Sequence, residues 1–259
     1  MKVEKIKQIG LGLIIPIVIV IAWFLATNFG SVPPSILPKI PKVGNTFLNM
    51  LQSGRLGSDL SVSLLRVVKG YLLSAAIGIT LGSIMGMSKS LKAIFLPVIT
   101  VIRQIPVIAW IPLIILWAGI GESSKVIIIV IAALFPILVN TLSGISSTSD
   151  SFVEVAKLYK LNGWETFVKV YLPHALPQIL VGLKLGLGVS WMAVVAAELI
   201  AATSGIGYRM SDARSLMQSD VVIVCMIVIG GLGIIMDKGI SVIFSFFTPW
   251  EKLKEKSKN

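Results

Sequence analysis

An all-α, polytopic membrane protein with about six transmembrane helices is the fold class this sequence predicts, on three observations. Hydrophobic residues make up 55% of the 259 and charged residues 14%, against about a quarter charged in soluble domains. Uncharged stretches occupy 8–38, 70–88, 104–121, 126–149, 185–197 and 221–236, and a helix crossing the hydrocarbon core needs roughly 20 mostly apolar residues. The Lys and Arg flank those stretches. The net charge of +11 is therefore assigned to anionic headgroups and not to nucleic acid. Residues 1–259 read as a single transmembrane domain.

Span one is expected at about Ile9 to Asn28. Its basic start resembles a signal peptide, but the apolar part exceeds an ordinary h-region and no small-x-small cleavage site follows, so it reads as a retained span. Lys2, Lys5 and Lys7 before it favour a cytoplasmic N-terminus. Pro33, Pro34, Pro38 and Pro41 then preclude a helix interior. Val43, Phe47, Leu48 and Leu51 recur at helical spacing, which predicts a short amphipathic helix on the outer interface.

Span two is expected from Gly70 to Met87, and its Gly78, Gly82 and Gly86 mark a packed face, because glycine at every fourth position lets a neighbouring backbone approach. Span three, about Ile94 to Ala118, contains Pro97, Pro106 and Pro112, with Arg103 and Gln104 at apolar depth. Such a broken span is tolerated where it is buried in protein or lines a cavity. Span four follows at about Lys125 to Leu142. Span five is expected from Pro177 to Ala202, with Gly182, Gly186 and Gly188, Lys184 toward the inner end and Glu198 toward the outer. A polar outer loop, Ser204 to Asp220, precedes span six, about Val221 to Phe244, which Asp237 and Lys238 are expected to interrupt. Trp250 and the basic tail close the chain as an inner anchor. On this topology thirteen Lys and Arg fall inside and eight outside, a bias of the expected sign.

Between spans four and five lies a charged island, 150–173. Ser149 and Asp150 are capping candidates for a helix over Ser151 to Lys160, with Phe152, Val155, Ala156 and Tyr159 on one side. Asn162-Gly163 breaks it, and Trp164 to Tyr171 starts a second helix expected to end near Pro173. Two readings of this knob stand. Tyr159 and Trp164 meet a protein partner, or they fold back on the inner ends of the spans.

Glu154-Val155-Ala156 followed by Val170-Tyr171-Leu172-Pro173 resembles the Glu-Ala-Ala motif of ABC importer permeases, whose pattern continues with glycine after three residues and closes on Ile-x-Leu-Pro. Lys160 stands where that family has glycine, the nearest glycine being Gly163. Either the turn has moved or Lys160 adopts a strained backbone. The runs Arg103 to Lys125 and Ala197 to Arg214 are similar to segments of the aliphatic sulfonate, taurine and nitrate branch, and the likeness covers about residues 43–245.

The resemblance implies a type I ABC importer permease fold in a bacterial cytoplasmic membrane, with both termini cytoplasmic. It implies a second permease copy, two ATP-binding subunits and an extracytoplasmic substrate-binding protein docking on the outer loops. Residues 150–173 would be the coupling helix region, with Glu154, Val155, Ala156, Tyr159, Gly163 and Trp164 as the ATPase-docking surface. No cofactor is expected on this chain, ATP and Mg belonging to the partner, and no G-x-x-x-x-G-K-[ST] loop is present.

Arg103 and Gln104 are candidate pathway residues, since a mid-depth cation requires a partner or a wet cavity. The alternatives for Arg103 are an ion pair with Glu198 or snorkelling to the inner interface. Glu198 is likewise a pathway residue or a structural partner for Arg103 or the outer arginines. No catalytic or metal site is expected, because His174 is the lone histidine and Cys225 the lone cysteine. A secondary transporter or channel is the rival reading, for which inverted repeats would be the sign. A membrane-embedded enzyme is a weaker rival, because the intramembrane ionisable residues are few and dispersed.

Overall fold

The computed structural model describes residues 2–247, so Trp250 and the basic tail lie outside the described residues. Every regular element among those described is helical: α1 (Lys2–Asn28), α2 (Ile40–Gln52), α3 (Arg55–Met87), α4 (Lys89–Ile102), α5 (Val107–Ala118), α6 (Glu122–Ser146), α7 (Asp150–Leu158), α8 (Gly163–Thr166), a π-helical turn (Phe167–Tyr171), α9 (Leu172–Ala201), α10 (Ile206–Ser215) and α11 (Ser219–Phe247).

Helix α6 is the centre of the bundle, and glycine faces bring its two neighbours against it. Methyls placed on Gly70, Gly78 and Gly86 of α3 would lie 2.5, 2.9 and 2.6 Å from the side chains of Ile129, Ile137 and Ile145 of α6. On the other side, Gly186 of α9 would meet Ile137 at 2.8 Å, and Gly144 of α6 would meet Gln178 at 2.9 Å. Where lipid is as apolar as any side chain, association rests on this close packing rather than on hydrophobic transfer.

The residue pairs also give the directions. Along α3 and α6 the numbers rise together, so these helices are parallel; along α6 and α9 they run oppositely, so that pair is antiparallel. Parallel neighbours require the intervening chain to return across the whole bundle. The α4–α5 pair therefore crosses as one broken span, bent by 94°, and the long apolar helices α1, α3, α6, α9 and α11 complete six crossings.

Several expected boundaries are corrected. Span two starts at Arg55, well before Gly70, because Asp59, Ser63 and Arg66 all find polar partners and need not stay in solvent. At 1.5 Å per residue α3 is about 50 Å long, so its first turns reach beyond the hydrocarbon. Of the three prolines of span three, Pro97 and Pro112 sit inside helices, and the break falls at Arg103–Pro106. Pro106 restricts Ile105 to extended backbone and has no N–H to continue the ladder.

The second island helix does not end near Pro173. It runs through the π-helical turn into α9 with Pro173 in the first turn, where the Leu172 N–H bonds Phe167 O. The wider turn relieves the clash a proline ring makes with the carbonyl four residues earlier. Asp237 and Lys238 do not interrupt span six either. Asp237 is paired with Lys184 Nζ at 3.3 Å, which removes the need to break the helix. The outer loop contains α10, which caps α9 and α11.

Candidate functional site: a projecting knob and the charges of the bundle

The knob is built by local capping. Ser149 caps α7, its Oγ accepting from the Ser151 N–H. At the other end the Leu161 N–H bonds Ala156 O at 3.0 Å and the Lys160 N–H bonds Lys157 O at 2.9 Å, the paired bonds of a Schellman stop. Such a stop requires a left-handed residue, and Lys160 supplies it with φ +53°. Of the two readings of Lys160, the strained one is what the structure adopts. Met217 ends α10 in the same way with φ +57°.

Asn162 then opens α8 through a capping box: its Oδ1 accepts from the Glu165 N–H at 2.8 Å and the Glu165 carboxylate accepts from the Asn162 N–H at 3.0 Å. The Asn-x-x-Glu spacing is a local signal for this turn that the sequence reading, which took Asn162-Gly163 as a break, did not use. The Trp164 ring packs tilted against Phe167 at 5.6 Å, beside a cavity of about 500 Å³ shared with Ile79, Ser83, Ile84 and Met87 of α3.

Tyr159 and Trp164 remain 78% and 71% exposed, so neither is buried against the spans, although Trp164 leans on Phe167 beside the inner end of α3. Glu154, Val155 and Gly163 are also at the surface. Ala156 is not: at 2% exposure it is inside the knob and belongs to the packing of the knob, not to its outer surface. Phe152 is exposed, and so is Leu158 at 81%, a residue the sequence reading did not single out. It ends α7 one position before the C-cap Tyr159.

At the opposite end of the bundle is a buried charge cluster. Arg66 Nη1 donates to Glu198 Oε1 at 2.7 Å and to Ser204 O at 2.8 Å, while Nε donates to Glu122 Oε2 at 2.8 Å. The Ser63 hydroxyl lies 2.8 Å from both Glu198 oxygens and accepts from the Ile206 N–H at 3.0 Å. The Gly207 N–H donates to Glu198 Oε2 at 3.0 Å. The 204–207 turn wraps the carboxylate so closely that a methyl on Gly205, at φ +106°, would lie 2.4 Å from Glu198 Cδ. Nearby, Arg209 Nε donates to Asp59 Oδ2 at 2.8 Å, and this bond holds the Arg209 guanidinium protonated more firmly than usual.

Glu198 is thus a structural partner of Arg66, and the Arg103–Glu198 pair is replaced by it. Arg66, Glu122 and the 204–207 turn were missed as a unit because they come from three distant parts of the chain. Arg103 and Gln104 sit exposed in the α4–α5 break. α4 packs with Leu138 and Leu142 of α6, and α5 with Ile128 and Ala132, which places the break near mid-height. Lys184 lies between Gly182 and Gly186, both packed on Ile137; it is therefore at mid-height, not toward one end as its sequence position suggested. Among the described residues no group of His, Cys, Asp and Glu could hold a metal.

Residues 78–244 match the family described as binding-protein-dependent transport system inner membrane component. The chain is 37% identical over 252 residues, covering 95% of it and 94% of the relative, to a Methanocaldococcus jannaschii protein assigned as an ABC transporter permease. It is 37% identical, with 91% and 90% covered, to an Escherichia coli (strain K12) protein assigned as an aliphatic sulfonates transport permease. The fold is similar to that in the crystal structure of an amino acid ABC transporter with histidines, at TM-score 0.62 and 19% identity, covering 76% of this chain and 96% of the other.

Proposed function

This chain belongs to the family of binding-protein-dependent transport system inner membrane components, and on that premise we propose which solute it moves and how it is driven. It is the non-catalytic permease subunit of an ABC importer. The solute is a small organic sulfonate, taurine or a nitrate-like anion, handed over by an extracytoplasmic binding protein. Two ATP-binding subunits carry ATP and Mg, and a second permease copy completes the pathway in the cytoplasmic membrane, with the knob and both termini on the cytoplasmic side.

One observation carries this reading: a doubly capped knob presents Glu154, Leu158, Tyr159 and Trp164 to solvent at the end of the central helices α6 and α9. Closure of ATPases gripping two such knobs moves the attached spans as bodies and alternates access. Exposed aromatic side chains beyond the spans suit a protein groove. Arg103 and Gln104 at the mid-height break favour an anion in passage.

The test is uptake in vesicles carrying this chain, the ATPase encoded beside it and the binding protein. Uptake should require ATP, and Glu154→Ala or Trp164→Ala should lower transport and substrate-stimulated ATP hydrolysis together. Normal coupling in both variants would remove the docking assignment. Uptake driven by an ion gradient without ATP would favour a secondary transporter instead.

A further inference from the structure

Helices α9 and α11 carry a second pair of charges that the coupling knob and the Arg66 cluster do not use. Lys184 Nζ and Asp237 Oδ1 are 3.3 Å apart, with side chains 41% and 60% exposed. They lie at mid-height, where a charge facing lipid is strongly disfavoured. Two adjoining cavities, of about 160 and 620 Å³, share Trp191, Met192, Gly233 and Asp237 among their lining residues. Together they form one groove from Leu199, near the Arg66 cluster, to Lys184 at mid-height.

Glycines keep the groove open. A methyl on Gly188 of α9 or on Gly230 of α11 would meet nothing within 4 Å, in contrast to Gly182 and Gly186, which are packed. The Trp191 indole N–H is already committed to Ile229 O at 3.0 Å, so the indole offers the groove its apolar ring.

We infer that this groove binds a small zwitterion, with its oxyanion on Lys184 and its ammonium on Asp237. Lys184 has spare donors beyond the pair and Asp237 a second oxygen. A zwitterion lies head to tail alongside the pair without separating it. A simple anion drawn to Lys184 meets Asp237 only 3.3 Å further on, and a simple cation drawn to Asp237 meets Lys184 and Lys238, which lines the larger cavity. Only a ligand carrying both charges converts each repulsion into a contact. This inference rests on the transport reading and narrows its solute class.

The experiment uses the purified full-length chain in lipid nanodiscs. Trp191 emission is isolated by subtracting the Trp191→Phe signal and titrated with taurine and β-alanine, their amine-free counterparts ethanesulfonate and propionate, and ethylammonium. Both zwitterions should half-saturate at concentrations at least about tenfold lower than the matched single-charge probes. Asp237→Asn should reverse the preference toward the anions. Lys184→Met with Asp237→Leu, which leaves no unpaired charge, should unfold near the wild-type temperature and lose the discrimination. Equal responses to all probes, no Trp191 response, or discrimination retained in the double variant would overturn the assignment. These outcomes are read without ATP, so failure of ATP-driven uptake would remove the transport reading separately.

Discussion

Arg66 of α3 donates to Glu198 of α9 at 2.7 Å, and the two side chains are 3% and 0% exposed. The pair joins the two helices that flank α6, and Glu122 brings α6 into the same cluster. Removing one partner of a buried pair leaves an uncompensated charge, at a cost of about 3–5 kcal/mol. Arg66→Met is therefore expected to lower the thermal unfolding temperature of the purified protein sharply. Glu198→Gln keeps the shape and the Gly207 bond, and its loss should be smaller. Similar unfolding temperatures for both variants and wild type would show that the cluster does not hold the bundle.

Ile137 occupies the space left by Gly78 on one side and Gly186 on the other. Gly78→Val should force the helices apart, with a loss of about 1–3 kcal/mol from overpacking. Ile137→Ala in the same chain should recover part of that loss. Gly188→Ala, where the added methyl meets open space, is the control and should leave the unfolding temperature nearly unchanged.

At Lys160 the left-handed backbone costs an L-residue roughly 1–2 kcal/mol. Lys160→Gly should stabilise the knob by part of that amount, read as slower hydrogen exchange at the Leu161 amide, which is held by Ala156 O. No change in that protection would mean that another contact carries the turn.

Leu158 is the most exposed large hydrophobic side chain of α7. Leu158→Asp should leave the fold intact and reduce retention of the ATPase subunit during purification. Unchanged retention would exclude this side chain from the docking surface.

Arg103→Ala tests the pathway. If Arg103 meets the passing solute, uptake of an anion falls while ATPase retention by the knob stays at the wild-type level. Retained uptake would remove the residue from the pathway.

The six crossings were legible in the sequence because hydrocarbon imposes its own length rule: a segment such as 126–149, with no charge to solvate, has little alternative to a helix. The knob was legible for a related reason. Its first cap, Ser149, was a candidate from local sequence, whereas Asn162 was read as a break and the structure makes it the cap of the next helix. The glycine faces of α3 and α9 could be recognised by their spacing, though not by what they meet.

What only the tertiary structure decided was pairing. Glu198 could have served Arg103 or an outer arginine, and the choice of Arg66 depends on α3 running parallel to α6, a relation that no stretch of sequence contains. The same holds for Asp237, read as an interruption until Lys184 was found beside it. Whether a charge breaks a helix or stays within it is decided by the neighbour that neutralises it. For Arg66 and Glu198 that neighbour is brought in by the glycine packing of α3 and α9 against α6.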